Sequence, residues 1–306
     1  MGQAIALNLQ AHRTAAGNPP IGVYNRSAAK TQPLKDKGAI VHETPAKVAE
    51  NSDVVFLSLF NGDTVKQVVS EILAPLATTA GSPKRTEQRP LVISDLTTVH
   101  PSVSTWVADQ ISSKKDILSR PVYFSQTPIW GAQPAAVAGK LVIVLSGHHR
   151  SLIREIAVPA FARSSIDCGD QVARAARFKI LGNFMIASII ESLGEAMAVA
   201  DQTDIGRELY LEFIKQVLPV PSFIGYATKM AEENGEAAKT QVGFTVPGGM
   251  KDVGYAIEVA RDVGMRLPIA ELAYDHLQWV LDNGDPNWDW SSLAFALRKE
   301  AQDAKK

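Results

Sequence analysis

The 306-residue sequence predicts an α/β domain with a mostly parallel sheet, followed by an all-helical domain. Up to about residue 170, short apolar runs alternate with helical patterns, as expected of βαβ units. From Gln171 onward the helical patterns become long and strand signals nearly disappear. We therefore expect a boundary near residue 170, which divides the chain into domains 1–170 and 171–306.

The first domain is predicted to begin with a helix at its first residue, before the earliest strand. The runs Val54–Leu59 and Leu91–Asp95 are almost continuously apolar, which is typical of parallel strands covered on both faces. The segment Thr127–Pro134 is predicted to be a loop. Strands are expected at 21–24, 39–41, 54–59, 91–95, 121–125, 141–145 and 165–168, and further helices at 28–37, 45–50 and 64–76.

The second domain is predicted to contain helices only. Residues 175–203 fit one helix, which is much longer than the average helix of a globular protein. Further helices are expected at about 207–218, 221–235, 249–263, 268–282 and 291–303.

Composition excludes several classes of protein. The net charge is −1, so no overall field favours nucleic acid or an anionic membrane. The single cysteine, Cys168, excludes an internal disulfide and fits a reducing cytosol. No fully apolar run reaches the roughly 20 residues of a membrane span. We expect a cytoplasmic protein that acts on a small molecule, with no nucleic-acid partner, no membrane partner and no metal site.

The carboxyl ends of parallel strands are where such sheets bind ligands, and four loops of this chain are predicted there. These loops are Met1-Gly2, Asn25-Arg26-Ser27, Phe60–Asp63 and Leu96–Thr98. A dinucleotide places its adenosine ribose after the second strand, where a 2′-phosphate favours cations and hydroxyls over a carboxylate. The residues at 25–27 therefore favour NADP over NAD. The alternative is an ordinary turn with Ser27 as the helix N-cap.

Lys179 and Asn183 are candidates for chemistry. They are four residues apart, so on a helix they share one face. Their neighbours are mostly apolar or small, and a lysine held beside an amide on a buried helix suits proton transfer. The alternative is a lysine whose stem is buried while its head reaches water.

Five segments along the chain match a known pattern in the right order. They are Met1-Gly2 with Asn8-Leu9, Ser94–Pro101, Thr127–Ala132 with Gly139-Lys140-Leu141, Lys179–Asn183 with Glu191 and Glu195, and Met250-Lys251-Asp252 with Pro268. Together they resemble the β-hydroxyacid dehydrogenase superfamily, which includes 3-hydroxyisobutyrate dehydrogenase and 6-phosphogluconate dehydrogenase.

The resemblance implies a Rossmann-like domain that binds NADP, with NAD as the alternative, and a helical domain for substrate binding and dimerisation. It implies an NAD(P)-dependent enzyme that interconverts a small β-hydroxyacid, or a related alcohol, and its aldehyde or ketone. A homodimer or homotetramer is expected.

The resemblance also implies residue roles. Lys179 would be the general acid/base, and Asn183 would hold the substrate carboxylate or hydroxyl. The loop residues Trp130, Gly131 and Ala132 would contact the substrate. The cofactor-binding residues would be Met1, Gly2, Asn25, Arg26, Ser27, Leu59, Phe60, Val65, Thr98 and Lys251.

The chain departs from the family pattern at three places. It begins inside the Gly-rich loop, so a first strand and two glycines are missing and a shortened chain is expected. Trp130 stands where the family usually has serine, which indicates a hydrophobic or differently anchored substrate. Ala132 replaces a glycine and would make the loop less permissive.

Two alternative functions follow from these departures. One is an imine reductase or reductive aminase, which Trp130 suggests and the retained Lys179 disfavours. The other is a truncated, non-catalytic dinucleotide-binding protein, which the missing first strand suggests.

Overall fold

The computed structural model describes residues 1–77, 89–232 and 234–304. The chain divides into two compact units, Met1–Lys179 and Ile180–Lys306. The first combines strands and helices, and the described part of the second contains helices, as the sequence predicts. The division falls inside a long helix, and the domain boundary near residue 170 stays a prediction.

The first unit contains eight short or medium strands among its described residues. Their bounds are β1 Gly22–Val23, β2 Ile40–Val41, β3 Val54–Leu57, β4 Leu91–Asp95, β5 Val122–Gln126, β6 Ile129–Trp130, β7 Leu141–Gly147 and β8 Ala162–Asp167. The helices are α1 Gly2–Ala15, α2 Gln32–Lys35, α3 Pro45–Glu50, α4 Gly62–Leu73, α5 Pro101–Lys114, α6 Gln133–Val137 and α7 Arg150–Ala160, with a 3-10 turn at Ala28–Thr31.

The strands form two sheets. β1 and β2 pair in parallel as a two-stranded sheet. The six-stranded sheet has the order β3-β4-β5-β7-β6, with β8 also paired to β7. Pairs β3–β4, β4–β5 and β7–β8 are parallel, whereas β7 runs antiparallel to β5 and to β6. The predicted parallel sheet is therefore confirmed for most pairs. The expectation that a further strand precedes Met1 stays a prediction.

The central strand β4 shows why the apolar runs of the sequence form the interior strands of the sheet. All five of its residues are buried, because a core cluster with residues of α4 and α5 covers one face and a second cluster with residues of α1 and α7 covers the other. α4 is capped by Asn61, whose side chain accepts a hydrogen bond from the Thr64 amide at 3.0 Å. The fully buried Val65, Val69 and Ile72 recur on the inner face of α4 at helical spacing. These contacts fix the carboxyl end of β3.

The segment Thr127–Pro134 differs from the predicted loop. It contains the two-residue strand β6 and the start of α6. The helices α5 and α7 were also not predicted. A two-residue strand is too short to show alternation in the sequence. The β6 strand pairs antiparallel with β7, with Trp130 opposite Val142. This pairing positions Trp130.

The second unit contains the remaining helices. They are α8 Ala173–Asp201, which begins in the first unit, α9 Gly206–Val217, α10 Pro221–Ala231, α11 Glu236–Thr240, α12 Val246–Asp262, α13 Pro268–Asn283 and α14 Ala294–Asp303, with a 3-10 turn at Trp290–Leu293. The predicted helix 221–235 ends earlier, and residue 233 within it lies outside the described residues. Gly235 has φ +59° and begins α11 as a separate helix.

The long helix α8 is a core helix. Ala187, Ile190, Leu193 and Met197 lie in one buried cluster with residues of α12 and α13. α8 is long and apolar enough to cross a membrane, since its most apolar 18-residue window has a mean hydropathy of 1.3. Half of that window is buried within the protein, which explains its apolar character.

Candidate active site

Buried hydrogen bonds fix the carboxyl ends of β3 and β4. The backbone amide of Leu59 donates to Oγ1 of Thr97 at 3.0 Å, and the amide of Thr97 donates to Oδ1 of Asp95 at 3.0 Å. Asp95 is fully buried. Thr98, a predicted cofactor residue, follows directly and is half-buried. These hydrogen bonds therefore hold the ends of β3 and β4 together beside Leu59 and Thr98.

The amino end of α1 lies near the end of β3. A Cβ added to Gly2 would lie only 3.0 Å from Oγ of Ser58, so the close approach favours glycine. The Gln3 side chain donates to the carbonyl of Lys30 at 3.0 Å, which ties α1 to the turn after β1. The Met1 amino group donates to Oε1 of Gln133 at 3.1 Å. Partial burial, and to a lesser degree Lys30, lower the pKa of that amino group.

The turn after β1 is exposed. Asn25, Arg26 and Ser27 all lie at the surface, and the Asn25 amide donates to the carbonyl of Ser27 at 2.9 Å. Ser27 precedes the 3-10 turn but makes no side-chain cap hydrogen bond. The Ser27 hydroxyl thus has no part in capping. The turn presents a cation, an amide and a hydroxyl, with no carboxylate among the three.

Two predicted cofactor residues on the β3–α4 connection have opposite environments. Phe60 is 59% exposed, so its ring offers surface to a ligand. Val65 is fully buried in the core cluster beneath α4 and has no accessible surface of its own. Any influence of Val65 on cofactor binding would act through packing.

Lys179 lies against Trp130. The lysine is only 6% exposed, and its Nζ is 4.8 Å from the centre of the Trp130 ring. Phe178 packs against the same indole, with ring centres 5.6 Å apart and planes at 79°. A cation over an aromatic face is an attractive arrangement, and it strengthens when water is excluded. The structure therefore brings two sequence-predicted site residues together within the first unit.

The loop after Trp130 needs glycine at one position only. Gly131 has φ +131°, and a Cβ there would lie 2.6 Å from Cδ2 of Leu141. Ala132 has φ −76° and ψ 176°, an extended conformation that any residue adopts. The backbone at Ala132 therefore has no need of glycine, and the expectation that alanine makes the loop less permissive stays a prediction.

In the second unit, Asn183 and Lys251 contact the same carboxylate. Asn183 donates its side-chain amide to Oδ2 of Asp252, and Nζ of Lys251 lies 2.6 Å from Oδ1. Asp252 is 1% exposed and Asn183 is 5% exposed. Nζ of Lys251 also lies 4.9 Å from the centre of the Tyr255 ring. Sequence reasoning gave Asp252 no role, although it follows Lys251 directly in the family signature.

Comparison with known proteins now identifies the family. The family model described as the NAD binding domain of 6-phosphogluconate dehydrogenase matches residues 1–164. The model described as NAD-binding of NADP-dependent 3-hydroxyisobutyrate dehydrogenase matches residues 173–297. The chain belongs to the β-hydroxyacid dehydrogenase superfamily. The protein is therefore an NAD(P)-dependent oxidoreductase that acts on CH–OH groups.

This chain is similar to several proteins over nearly its full length. The oxidoreductase YfjR of Bacillus subtilis is 28% identical, over 97% of this chain and 96% of the relative. The NADH-dependent oxidoreductase ucdB of Aspergillus ustus is 27% identical, over 98% and 97%. The solved structure of Mycobacterium tuberculosis 3-hydroxyisobutyrate dehydrogenase with L-serine has a TM-score of 0.75 at 19% identity, covering 97% and 96%.

The chemistry of the described residues fits a dinucleotide in this dehydrogenase. Gly2 is the first residue of helix α1 and carries no side chain that would crowd Ser58. Backbone N–H groups at a helix start favour a pyrophosphate. The exposed Arg26 and Ser27 supply donors for a ribose or its phosphate.

Proposed function

We propose that the protein is an NADP-dependent oxidoreductase that interconverts a small β-hydroxyacid, or a related alcohol, and its aldehyde or ketone. Lys179 acts as the general acid/base. The observation that carries this proposal is the burial of the Lys179 ammonium against Trp130, on the helix α8.

The chemistry requires a proton donor at the substrate oxygen. When bound, the reduced nicotinamide supplies a hydride to the carbonyl carbon. The carbonyl oxygen then gains negative charge and takes a proton from Nζ of Lys179, which gives the alcohol. In the oxidation direction, Nζ accepts the hydroxyl proton while the hydride leaves the carbon. A group positioned for such transfers contributes about 10²–10⁴-fold to the rate.

The proposed cofactor is NADP, with NAD as the competing choice. Support comes from the exposed Arg26 and Ser27, which suit a 2′-phosphate, and from the absence of a carboxylate among residues 25–27. Met1, Gly2, Leu59, Phe60 and Thr98 are proposed to lie along the rest of the dinucleotide. Lys251 is proposed as a further cofactor-binding residue, as the family resemblance implies. The Aspergillus relative uses NADH by its name, so the test below compares both cofactors.

For the substrate, we propose contacts with Trp130, Gly131 and Ala132 of the loop and with Asn183. The carbonyl oxygen of the Asn183 side chain suits a substrate hydroxyl, since its amide nitrogen donates to Asp252. A homodimer or homotetramer and a cytoplasmic location are also proposed, on the resemblance and on the composition.

Imine reduction is the competing activity. A protonated imine is a cation, and an indole face would attract it. In this protein the ammonium of Lys179 already lies over the face of Trp130, which favours a neutral carbonyl substrate over a cationic one.

The test is a Lys179→Ala variant assayed with short hydroxyacids, alcohols and aldehydes and with both cofactors. We expect kcat to fall at least about 100-fold while cofactor affinity changes less than about twofold. Lys114→Ala removes a lysine from the last turn of α5 and should leave kcat unchanged. Normal turnover by Lys179→Ala would refute the proposed role of the lysine. Cofactor binding without turnover of any carbonyl or alcohol would support the non-catalytic alternative.

A further inference from the structure

The side-chain amide of Gln126 is bonded to both sides of the β4–α5 connection. Gln126 is the last residue of β5 and is fully buried. Its Nε2 donates to the carbonyl oxygens of Asp95 at 3.0 Å and of Thr97 at 2.9 Å. Its Oε1 accepts from the hydroxyl of Ser104, on α5, at 2.9 Å. One buried amide therefore holds the chain before and after Thr98, with its nitrogen and its oxygen both engaged.

The two carbonyl groups depend on this amide to different degrees. The Asp95 carbonyl also accepts from the backbone amide of Thr127 at 2.8 Å, at the end of the β4–β5 pairing. Thr97 lies beyond the end of β4 and is 4% exposed, and the Gln126 amide supplies a donor to its carbonyl. Loss of the Gln126 amide would therefore affect the Thr97 carbonyl most, because a buried acceptor without a donor is costly.

The Thr97 carbonyl also determines the direction of the next amide. A peptide unit is planar, and in its trans form the carbonyl and the following N–H point to opposite sides. None of the described peptide bonds is cis. With its oxygen directed at Gln126, the Thr97–Thr98 peptide turns the Thr98 N–H away from Gln126. Thr98 is half-buried, so a ligand can reach it, whereas Gln126 has no accessible surface.

The proposed path of the dinucleotide leads from the adenosine end to Thr98. The adenosine ribose is proposed to lie at residues 25–27, and the pyrophosphate at the start of α1, where Gly2 lies against Ser58. Ser58 follows β3, and β4 is the next strand of the six-stranded sheet. The nicotinamide half is therefore expected to continue toward the end of β4.

We propose that Gln126 is a positioning residue for the nicotinamide half of the cofactor. It orients the Thr97–Thr98 peptide, and Thr98 makes the contact with the nicotinamide ribose. This inference rests on the proposed function, since it takes Thr98 to bind the cofactor.

The experiment compares whole dinucleotides with fragments that lack the nicotinamide and its ribose. The intact protein is titrated by calorimetry with NADPH and adenosine 2′,5′-bisphosphate, and with NADH and ADP. Gln126→Met keeps the length of the side chain but has no donor. We expect the Kd of the dinucleotide to rise at least about fivefold in this variant, and the Kd of its fragment to change less than about twofold.

The outcomes separate this inference from the proposed function. An unchanged Kd of the dinucleotide in Gln126→Met, or equal weakening of the dinucleotide and its fragment, would overturn the inference alone. A wild-type protein that binds neither NADPH nor NADH would overturn the proposed function, and this inference with it.

Ser104→Ala decides the question if Gln126→Met does not fold. It removes only the hydroxyl that donates to Oε1 of Gln126, so the amide is held less firmly. We expect the same selective loss at a smaller size, with the dinucleotide weakened about threefold relative to its fragment. A wild-type ratio of the two dissociation constants would then contradict the role of Gln126.

The same unit contains a matched control, Gln10 on α1. Gln10 is 4% exposed, its Oε1 accepts from the Ile21 amide at 3.0 Å, and its Nε2 donates to Oγ1 of Thr14 at 3.1 Å. Gln10→Met therefore removes a comparable buried amide. We expect its ratio of dinucleotide to fragment dissociation constants to stay within about twofold of the wild-type value, even if the melting temperature falls. A selective loss of dinucleotide binding in this control would show a general effect of losing a buried amide and would refute the positioning role.

Discussion

Asn183 donates its side-chain amide to the buried carboxylate of Asp252, 69 residues later in the chain. The same carboxylate is paired with Lys251. An Asp252→Asn variant keeps the size of the side chain but removes the carboxylate charge beside the Lys251 ammonium, whose side chain is only 15% exposed. We expect the free energy of unfolding to fall by about 1–3 kcal/mol, measured by urea denaturation.

A control for this substitution lies on α13. Asp282 is exposed and accepts a hydrogen bond from Gln278 at 2.9 Å. Asp282→Asn should change the free energy of unfolding by less than about 0.5 kcal/mol. If Asp252→Asn is as mild as this control, then the buried cluster contributes little to stability.

Arg26 is predicted to discriminate between the cofactors. Arg26→Gln should weaken NADPH binding by about tenfold and NADH binding by less than about twofold, because only NADPH carries a 2′-phosphate. The measurement is a titration of nucleotide fluorescence at fixed salt. Lys35→Gln removes an equal charge from an exposed position on α2 and serves as the control. Equal weakening of both cofactors by Arg26→Gln would argue against phosphate recognition.

His276 should make stability depend on pH. Its Nδ1 lies 2.7 Å from Oε1 of the buried Glu191, and Nε2 lies 3.3 Å from Oε1 of Glu300. The hydrogen bond to Glu191 raises the pKa of His276 above 6.5, against the opposing effect of burial. The folded state therefore holds the proton more tightly than the unfolded state, so this stabilisation is complete below about pH 6.5 and is lost as pH rises through the raised pKa.

Urea denaturation across that range measures the effect. The free energy of unfolding of the wild-type protein should fall with rising pH, by up to about 1.4 kcal/mol per pH unit from this group, and His276→Gln should remove that part of the slope. Glu300→Gln should change the slope only slightly, because 66% of the Glu300 side chain is exposed and its charge is screened. A slope that survives in His276→Gln would contradict the assignment.

Gly131 is predicted to be intolerant of a side chain. Gly131→Ala combines a positive φ with a contact of 2.6 Å to Leu141, so we expect a loss of about 2–4 kcal/mol in the free energy of unfolding. Gly17 also has a positive φ, +66°, but nothing lies within 4 Å of its added Cβ. Gly17→Ala should therefore cost only about 1 kcal/mol, which isolates the backbone contribution. Similar costs for both variants would exclude the steric contribution.

Several long elements were predictable from the sequence, although the helices α5 and α7, of 14 and 11 residues, were not. The strand β4 begins and ends where its apolar run does, and α8 differs from its predicted bounds by two residues at each end. β6 and α6 were missed because two and five residues are too few to show a period. The antiparallel direction of β7 against β5 depends on contacts between distant segments, which local patterns do not record.

In the candidate site, too, local spacing was predictable, whereas contacts between distant segments were not. Lys179 and Asn183 could be paired by their spacing on one helix. The contact of Lys179 with Trp130 spans 49 residues of sequence and depends on the β6–β7 pairing. Asp252 was missed because an acid beside a lysine usually indicates a solvated surface, and its burial depends on how α12 packs.

The uninterrupted helix α8 sets the spacing between Lys179 and Asn183. Four residues advance about 6 Å along a helix axis and about 40° around it. Inserting or deleting one residue between them would rotate the amine against the amide by about 100°. Insertions and deletions within this turn should therefore be rare among related proteins, whereas the surface connections should tolerate them.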